Sequence, residues 1–186
     1  MPTIPPDAFA DVLRAPEVQT QRFVDDGTFP NNPDLPVVIL RQTLRADAPK
    51  RAEALGRVFR THGWRGQWRD GIFSYHHYHS TAHEVLGIAK GEARVQLGGP
   101  EGSSFEVESG DVLVLPAGVA HKNGSASHDF LVVGAYPDGQ DWDLLRGRPS
   151  ERPKADRNIE EVALPTRDPV FGEEGPLVEH WDLSLE

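Results

Sequence analysis

From Gly71 to Tyr136 the chain is cut by glycine-bearing turns into runs too short for stable helices. The runs span 72–79, 84–89, 92–97, 104–107, 112–115 and 129–136, and Lys90-Gly91, Gly98-Gly99-Pro100-Glu101-Gly102 and Ser109-Gly110 lie between them. Short strands at this spacing predict an all-β fold, a sandwich or small barrel. Two of the strands, Val112–Leu115 and Phe130–Val133, are apolar on both faces. Such strands need cover outside the barrel as well as a core inside it. An N-terminal arm, a helix or a second subunit must supply that cover, and a homodimer is expected.

The flanks read differently. Ala52, Leu55, Val58 and Phe59 make an apolar stripe at helical spacing, with Asp47 placed to cap, Pro49 suited to the first turn and Gly63 able to end the helix. This predicts a helix over about 48–62. A short helix is expected around Pro6–Leu13. Residues 18–45 read as extended segments broken at Asp25-Asp26-Gly27 and Pro30-Asn31-Asn32-Pro33, with Val37–Leu40 as a buried strand. Beyond Pro137 the chain is polar and proline-rich, yet Phe171, Leu177, Val178 and Trp181 still need burial, so an ordered tail should wrap the barrel. The expected organisation is one domain over 1–186, with an arm (1–70), barrel strands (71–136) and a tail (137–186).

Charge excludes some partners. With 19 basic and 29 acidic side chains the chain carries a net charge of −10, and it has no basic cluster to meet phosphates. No run is long and apolar enough to cross a bilayer as a helix. Met1–Pro6 has neither the basic start nor the apolar stretch of a secretory signal, so the cytoplasm is the expected compartment. The chain has no cysteine, so any metal must be held by nitrogen and oxygen.

Four of the eight histidines fall within residues 76–83. On a strand, alternate side chains share a face, so His77 and His79 can reach one ion while His76 and Tyr78 point away. Imidazole suits zinc, copper, iron and nickel, and a carboxylate widens the choice to manganese. A turn at Pro116 and Gly118 can deliver His121 toward the same strand as a third ligand. For a fourth, an unbroken strand from 77 would put His83 on the ligand face. A turn through the small residues Ser80-Thr81-Ala82 would instead reset the alternation in favour of Glu84.

These residues resemble the cupin superfamily. Its first motif, G-x5-H-x-H-x4-E-x6-G, is filled by Gly71, His77, His79, Glu84 and Gly91. Its second, G-x5-P-x-G-x2-H-x3-N, is filled by Gly110, Pro116, Gly118 and His121, with Ser125 in place of the asparagine and Asn123 two residues early. Asn31-Asn32-Pro33, Gly63-Trp64 and Gln140-Asp141-Trp142-Asp143-Leu144 are similar to the bacterial single-domain YjlB-like cupins. The resemblance implies a jelly-roll barrel (double-stranded β-helix) and one divalent metal ion (Fe, Mn, Ni, Cu or Zn) on His77, His79, Glu84 and His121. It leaves His83 as a hydrogen-bond partner or a surface residue, and dimers are common in the superfamily.

Three imidazoles and a carboxylate fill four positions of an octahedral ion and leave two for substrate or oxygen. With a divalent ion the set carries a net +1, which favours anionic or chelating ligands. The expected function is a metal-dependent enzyme of dioxygenase-like oxidoreductase type acting on a small organic molecule. Metal-dependent isomerisation and a non-catalytic small-molecule or metal-binding module are the alternatives. No local base or basic phosphate pocket supports the isomerase.

Phe73 and Tyr75 share parity with His77 and are expected to face the barrel interior, as substrate-binding residues or as core. If Lys90-Gly91 is a hairpin turn, Glu84 lies opposite Leu97, and Arg94 and Gln96 face outward. Lys122, His62, His128 and His180 read as ordinary surface or hydrogen-bonded residues. Trp64, Trp68, Trp142 and Trp181 are expected to fasten the arms to the barrel.

Overall fold

The computed structural model describes residues 8–183. Nine strands form two antiparallel sheets: β1 (Glu17–Phe23), β2 (Asn32–Arg41), β3 (Trp64–Asp70), β4 (Glu84–Lys90), β5 (Glu92–Leu97), β6 (Ser103–Glu108), β7 (Val112–Leu115), β8 (His121–Ala126) and β9 (Leu131–Pro137). The larger sheet runs β1-β2-β7-β4-β9-β3 and the smaller β6-β5-β8. The fold is the expected all-β jelly roll. Its interior is filled by Ile39, Leu86, Ile88, Val95, Leu97, Leu113, Leu115 and Val132 among others.

The doubly apolar strands are covered by the chain itself. Leu113 and Leu115 face the interior, whereas Val112 and Val114 join an outer layer with Leu55, Val58, Phe59, Trp64, Leu177 and Trp181. Helix α1 (Arg51–Thr61) supplies part of that layer, and in the wrapping tail, which also holds α2 (Lys154–Glu161), α3 (Pro176–His180) supplies more. At Gly87 the helix lies against bare backbone, since an added Cβ would stand 2.9 Å from Phe59 and 3.0 Å from Leu55. The burial of these strands therefore requires no second subunit.

Several expectations are corrected. Helix α1 starts later than 48, at Arg51, and its N-cap is Lys50 in the left-handed conformation. Asp47 does not cap it and pairs with Arg45 at 3.2 Å instead. Gly63 does end it, with φ of 83°. Pro6 and Asp7 lie outside the described residues, and 8–12 form turns rather than a helix, with Leu13 bridged to Leu44. A stretch of that length just before Pro16 is too short to sustain helix nucleation.

Lys90-Gly91 is not a hairpin. β4 pairs with β7 and β9, and β5 pairs with β6 and β8, so the chain crosses between sheets at this point. Gly91 is needed there, with φ of 71° and an added Cβ 2.9 Å from the Phe130 backbone. Glu84 is thus opposite Leu115 on β7, not Leu97. Ala93, Val95 and Leu97 are nonetheless buried while Arg94 is exposed, because period-2 alternation places them whatever the partner strand.

The expected strand 72–79 is not regular. Residues 71–83 cross the end of the barrel, held by single bridges, His77 to His121 and Tyr78 to Leu145. In its place stands β3, which pairs with β9. Among the described residues no helix is long and apolar enough to cross a membrane.

Candidate metal centre

Three buried imidazoles meet at one end of the barrel. His77 and His79 come from the crossing segment and His121 from the first residue of β8. One ring nitrogen of each lies within 4.8 Å of the others. Alternation holds locally: Tyr78, between the two, points away into a separate cluster with Phe29, Ala120 and Ala155. The turn before β8 is fixed by Gly118, whose φ is 95° and whose N–H donates to the His79 carbonyl at 2.8 Å.

Each imidazole is oriented from behind. His77 Nδ1 lies 3.0 Å from the Tyr75 carbonyl and His121 Nδ1 lies 3.0 Å from the Val119 carbonyl. His79 Nδ1 bonds the Asp143 carbonyl. A carbonyl only accepts, so each Nδ1 carries the proton and each Nε2 presents a lone pair. Such backing is the usual support of metal-ligating histidine.

Glu84 completes the wall. Its Oε2 is 3.4 Å from His79 Nε2 and 3.2 Å from His121 Nε2. Ligand bonds near 2.1 Å put adjacent donors of an octahedral ion about 3 Å apart, close to these separations. Oε2 is buried and has no hydrogen-bond partner of its own, whereas Oε1 accepts from Tyr136 Oη at 2.9 Å. The Tyr136 hydroxyl in turn accepts from Trp68 Nε1 at 2.9 Å. One carboxylate oxygen is thus anchored and the other is free and aimed among the histidines. The three histidines have the spacing of a metal site, and Glu84 stands beside two of them. Replacing Tyr136 with phenylalanine is expected to weaken metal affinity about 10- to 100-fold, read by chelator competition, with the ligand residues intact.

Electrostatics agree with this arrangement. Burial would raise Glu84, but the facing imidazoles of His79 and His121 hold it well below the usual carboxylate range. Burial lowers His79, and Glu84 more than reverses that, leaving it raised. His77 is pushed down to about 3 by burial and by His121 beside it, so it is neutral and ready to bind.

His83 turns the other way. Its Nδ1 accepts the Ala117 N–H at 2.9 Å and its ring packs 4.7 Å from Trp181. The turn at 80–82 therefore resets the alternation in favour of Glu84. Burial pushes His83 down to about 4, against about 6.5 unfolded, so the neutral form is favoured in the fold. Its contribution is full above pH 6.5 and is lost as pH falls toward 4. Between pH 7 and 5 that loss is about 2 kcal/mol. Urea unfolding of the metal-free protein should show this, and His83→Asn, which keeps an acceptor for Ala117, should flatten it.

Sequence reasoning missed the contribution of the tail. Asp143 accepts from Ser80 N–H at 2.6 Å and Ser80 Oγ at 2.5 Å, Thr81 Oγ1 donates to the Asp141 carbonyl at 2.7 Å, and Asn158 reaches Ser80 Oγ at 2.9 Å. These contacts clasp the segment that carries His79. Phe73 and Tyr75 do not face the interior as expected. They flank His77 at the barrel end, 5.1 and 5.8 Å from its ring, because the irregular backbone before 77 breaks the parity. Trp64 and Trp181 fasten arms, donating to the carbonyls of Arg167 and Pro36. Trp142 does not; it stands 5.6 Å from His79.

Fold and site together define a cupin, and residues 69–138 match the Cupin family. Over 165 residues the chain is 45% identical to the Bacillus subtilis (strain 168) protein called "Uncharacterized protein YjlB", covering 89% of this chain and 97% of that one. It belongs to that YjlB family of cupins. Solved structures with similarity include acireductone dioxygenase from Bacillus anthracis with cadmium in its active centre (17% identity, 50% of this chain and 63% of that one, TM-score 0.38). Pumpkin seed globulin is another (27% identity, 52% and 28%, TM-score 0.34). Likeness of this extent says nothing about the reaction.

Proposed function

We propose that this cupin is a metal-dependent enzyme of dioxygenase-like type acting on a small organic molecule. The observation that carries it is the inward aim of three Nε2 lone pairs, each fixed by a backbone carbonyl, beside a buried carboxylate oxygen with no other partner. A redox-active ion such as Fe(II), when bound, would supply the electron transfer that O₂ chemistry needs. The protein's part is to hold and shield. His77, His79, His121 and Glu84 would bind the ion and leave two octahedral positions open. Tyr136 fixes the Glu84 carboxylate, and the rings of Phe73, Tyr75 and Trp142 limit water at the mouth.

Burial and the Glu84 carboxylate raise Tyr136 above its ordinary value. The test is oxygen consumption by iron-reconstituted protein with a panel of phenols, ene-diols, thiols and keto acids. Uptake that depends on one class of substrate, and is lost in His77→Ala, is expected. Binding without uptake across the panel would contradict the enzyme and leave a binding module.

A further inference from the structure

Aromatic side chains at the mouth of the site point to a class of ligand. Among the described residues the large hydrophobics left exposed include two aromatics, Phe73 and Trp142, each 50% exposed. Exposed apolar side chains are ordinarily scattered. These two stand at the histidine site, 5.1 Å from His77 and 5.6 Å from His79. Each is backed by a second ring: Phe73 stacks on Tyr75 at 4.9 Å and 11°, and Trp142 on Tyr136 at 5.9 Å and 19°.

Arg146 adds a charge. Its guanidinium carbon lies 3.8 Å from the centre of the Tyr75 ring. It must cover the face away from Phe73, since two rings 4.9 Å apart leave no room between them. Arg146, Tyr75 and Phe73 therefore form a three-layer stack ending beside His77. Arg146 is exposed, and its guanidinium forms no ion pair among the described residues. Arg146 thus stands at the outer end of the stack, with Tyr75 and Phe73 between it and the histidines.

We infer that the site takes a small planar aromatic anion, an aryl ring bearing an ionised carboxylate or hydroxyl, stacked against Phe73 and Trp142. Its charge is answered at the centre itself, where a divalent ion with Glu84 leaves a net +1, and in this the inference rests on the metal site proposed above.

The experiment is calorimetric titration of the zinc-loaded full chain with benzoate and with cyclohexanecarboxylate. Zinc has no redox chemistry, so binding is read without turnover. Benzoate should bind about tenfold tighter than its saturated counterpart. Phe73→Leu with Trp142→Leu should abolish that preference at unchanged zinc stoichiometry and circular dichroism, both side chains being half in solvent. Equal binding of the two acids, failure of benzoate to bind at 10 mM (roughly the weakest affinity such a site would show), or a preference that survives the double substitution would each overturn the inference. If zinc itself does not bind, the metal centre fails, and the ratio measured on the metal-free chain still decides this point.

Discussion

Glu84→Gln is expected to lower affinity for a divalent ion at least 100-fold, with a smaller cost to the stability of the metal-free protein. Glu84 is the one anionic donor in the set, and its Oε2 has no other partner. A unit charge in contact with a divalent ion contributes several kcal/mol even at an effective dielectric of about 20, and 100-fold needs only about 2.7 kcal/mol. Glutamine keeps the volume and keeps an acceptor for Tyr136 but removes the charge that faces His79 and His121, so some loss of stability in the metal-free protein accompanies it. Chelator competition reads the affinity and urea unfolding the stability. Unchanged affinity would place Glu84 outside the coordination sphere. The companion variant His83→Asn should bind metal as the parent does, because His83 faces Ala117 and Trp181.

The second large effect is on the tail. Asp168 is fully buried and its carboxylate accepts the backbone N–H groups of Val170, Phe171 and Leu177 at 2.7, 2.9 and 2.9 Å. Alanine there would leave three donors unpaired, two buried and one part-buried, at about 1–2 kcal/mol each, for a total loss of about 3–6 kcal/mol. In a chain of this length that corresponds to a fall in Tm of about 10–20 °C. Asp168→Asn keeps the acceptor for Val170 and Phe171 but turns an amide toward Leu177, so an intermediate loss is expected. Trp181, which packs over His83, should become more exposed in both variants, as a red shift in fluorescence. A loss under about 1 kcal/mol for the alanine variant would contradict this anchoring role.

Much of this was legible because it rests on spacing. His77, His79 and His121 meet as expected: alternation needs only a locally extended backbone, and Gly118 occupies a turn that admits little else. The outer cover of β7 was legible as a need, with the helix that became α1 among its candidates but not α3, because apolar counts show that a face must be buried without saying by what. Two strands carried no readable pattern. β8, with sequence HKNGSA, has no large apolar residue, and β3 is broken by a register shift between Arg65 and Trp68 that spoils its alternation. The hydrogen bonds of Tyr136 and Asp143 to the site join residues 52 and 64 positions apart. No local periodicity reports such contacts. Trp142 was misjudged for the same reason, since its place beside His79 depends on how the tail returns.

The measurement that tests the central claim most directly is elemental analysis of the full chain purified without chelator or immobilised metal. One first-row transition ion per chain, lost in His77→Ala and Glu84→Ala, is the expected result. Metal-free protein whose thermal stability does not change on adding iron, manganese, nickel, copper or zinc would contradict it, and the three histidines would then be something other than a metal centre.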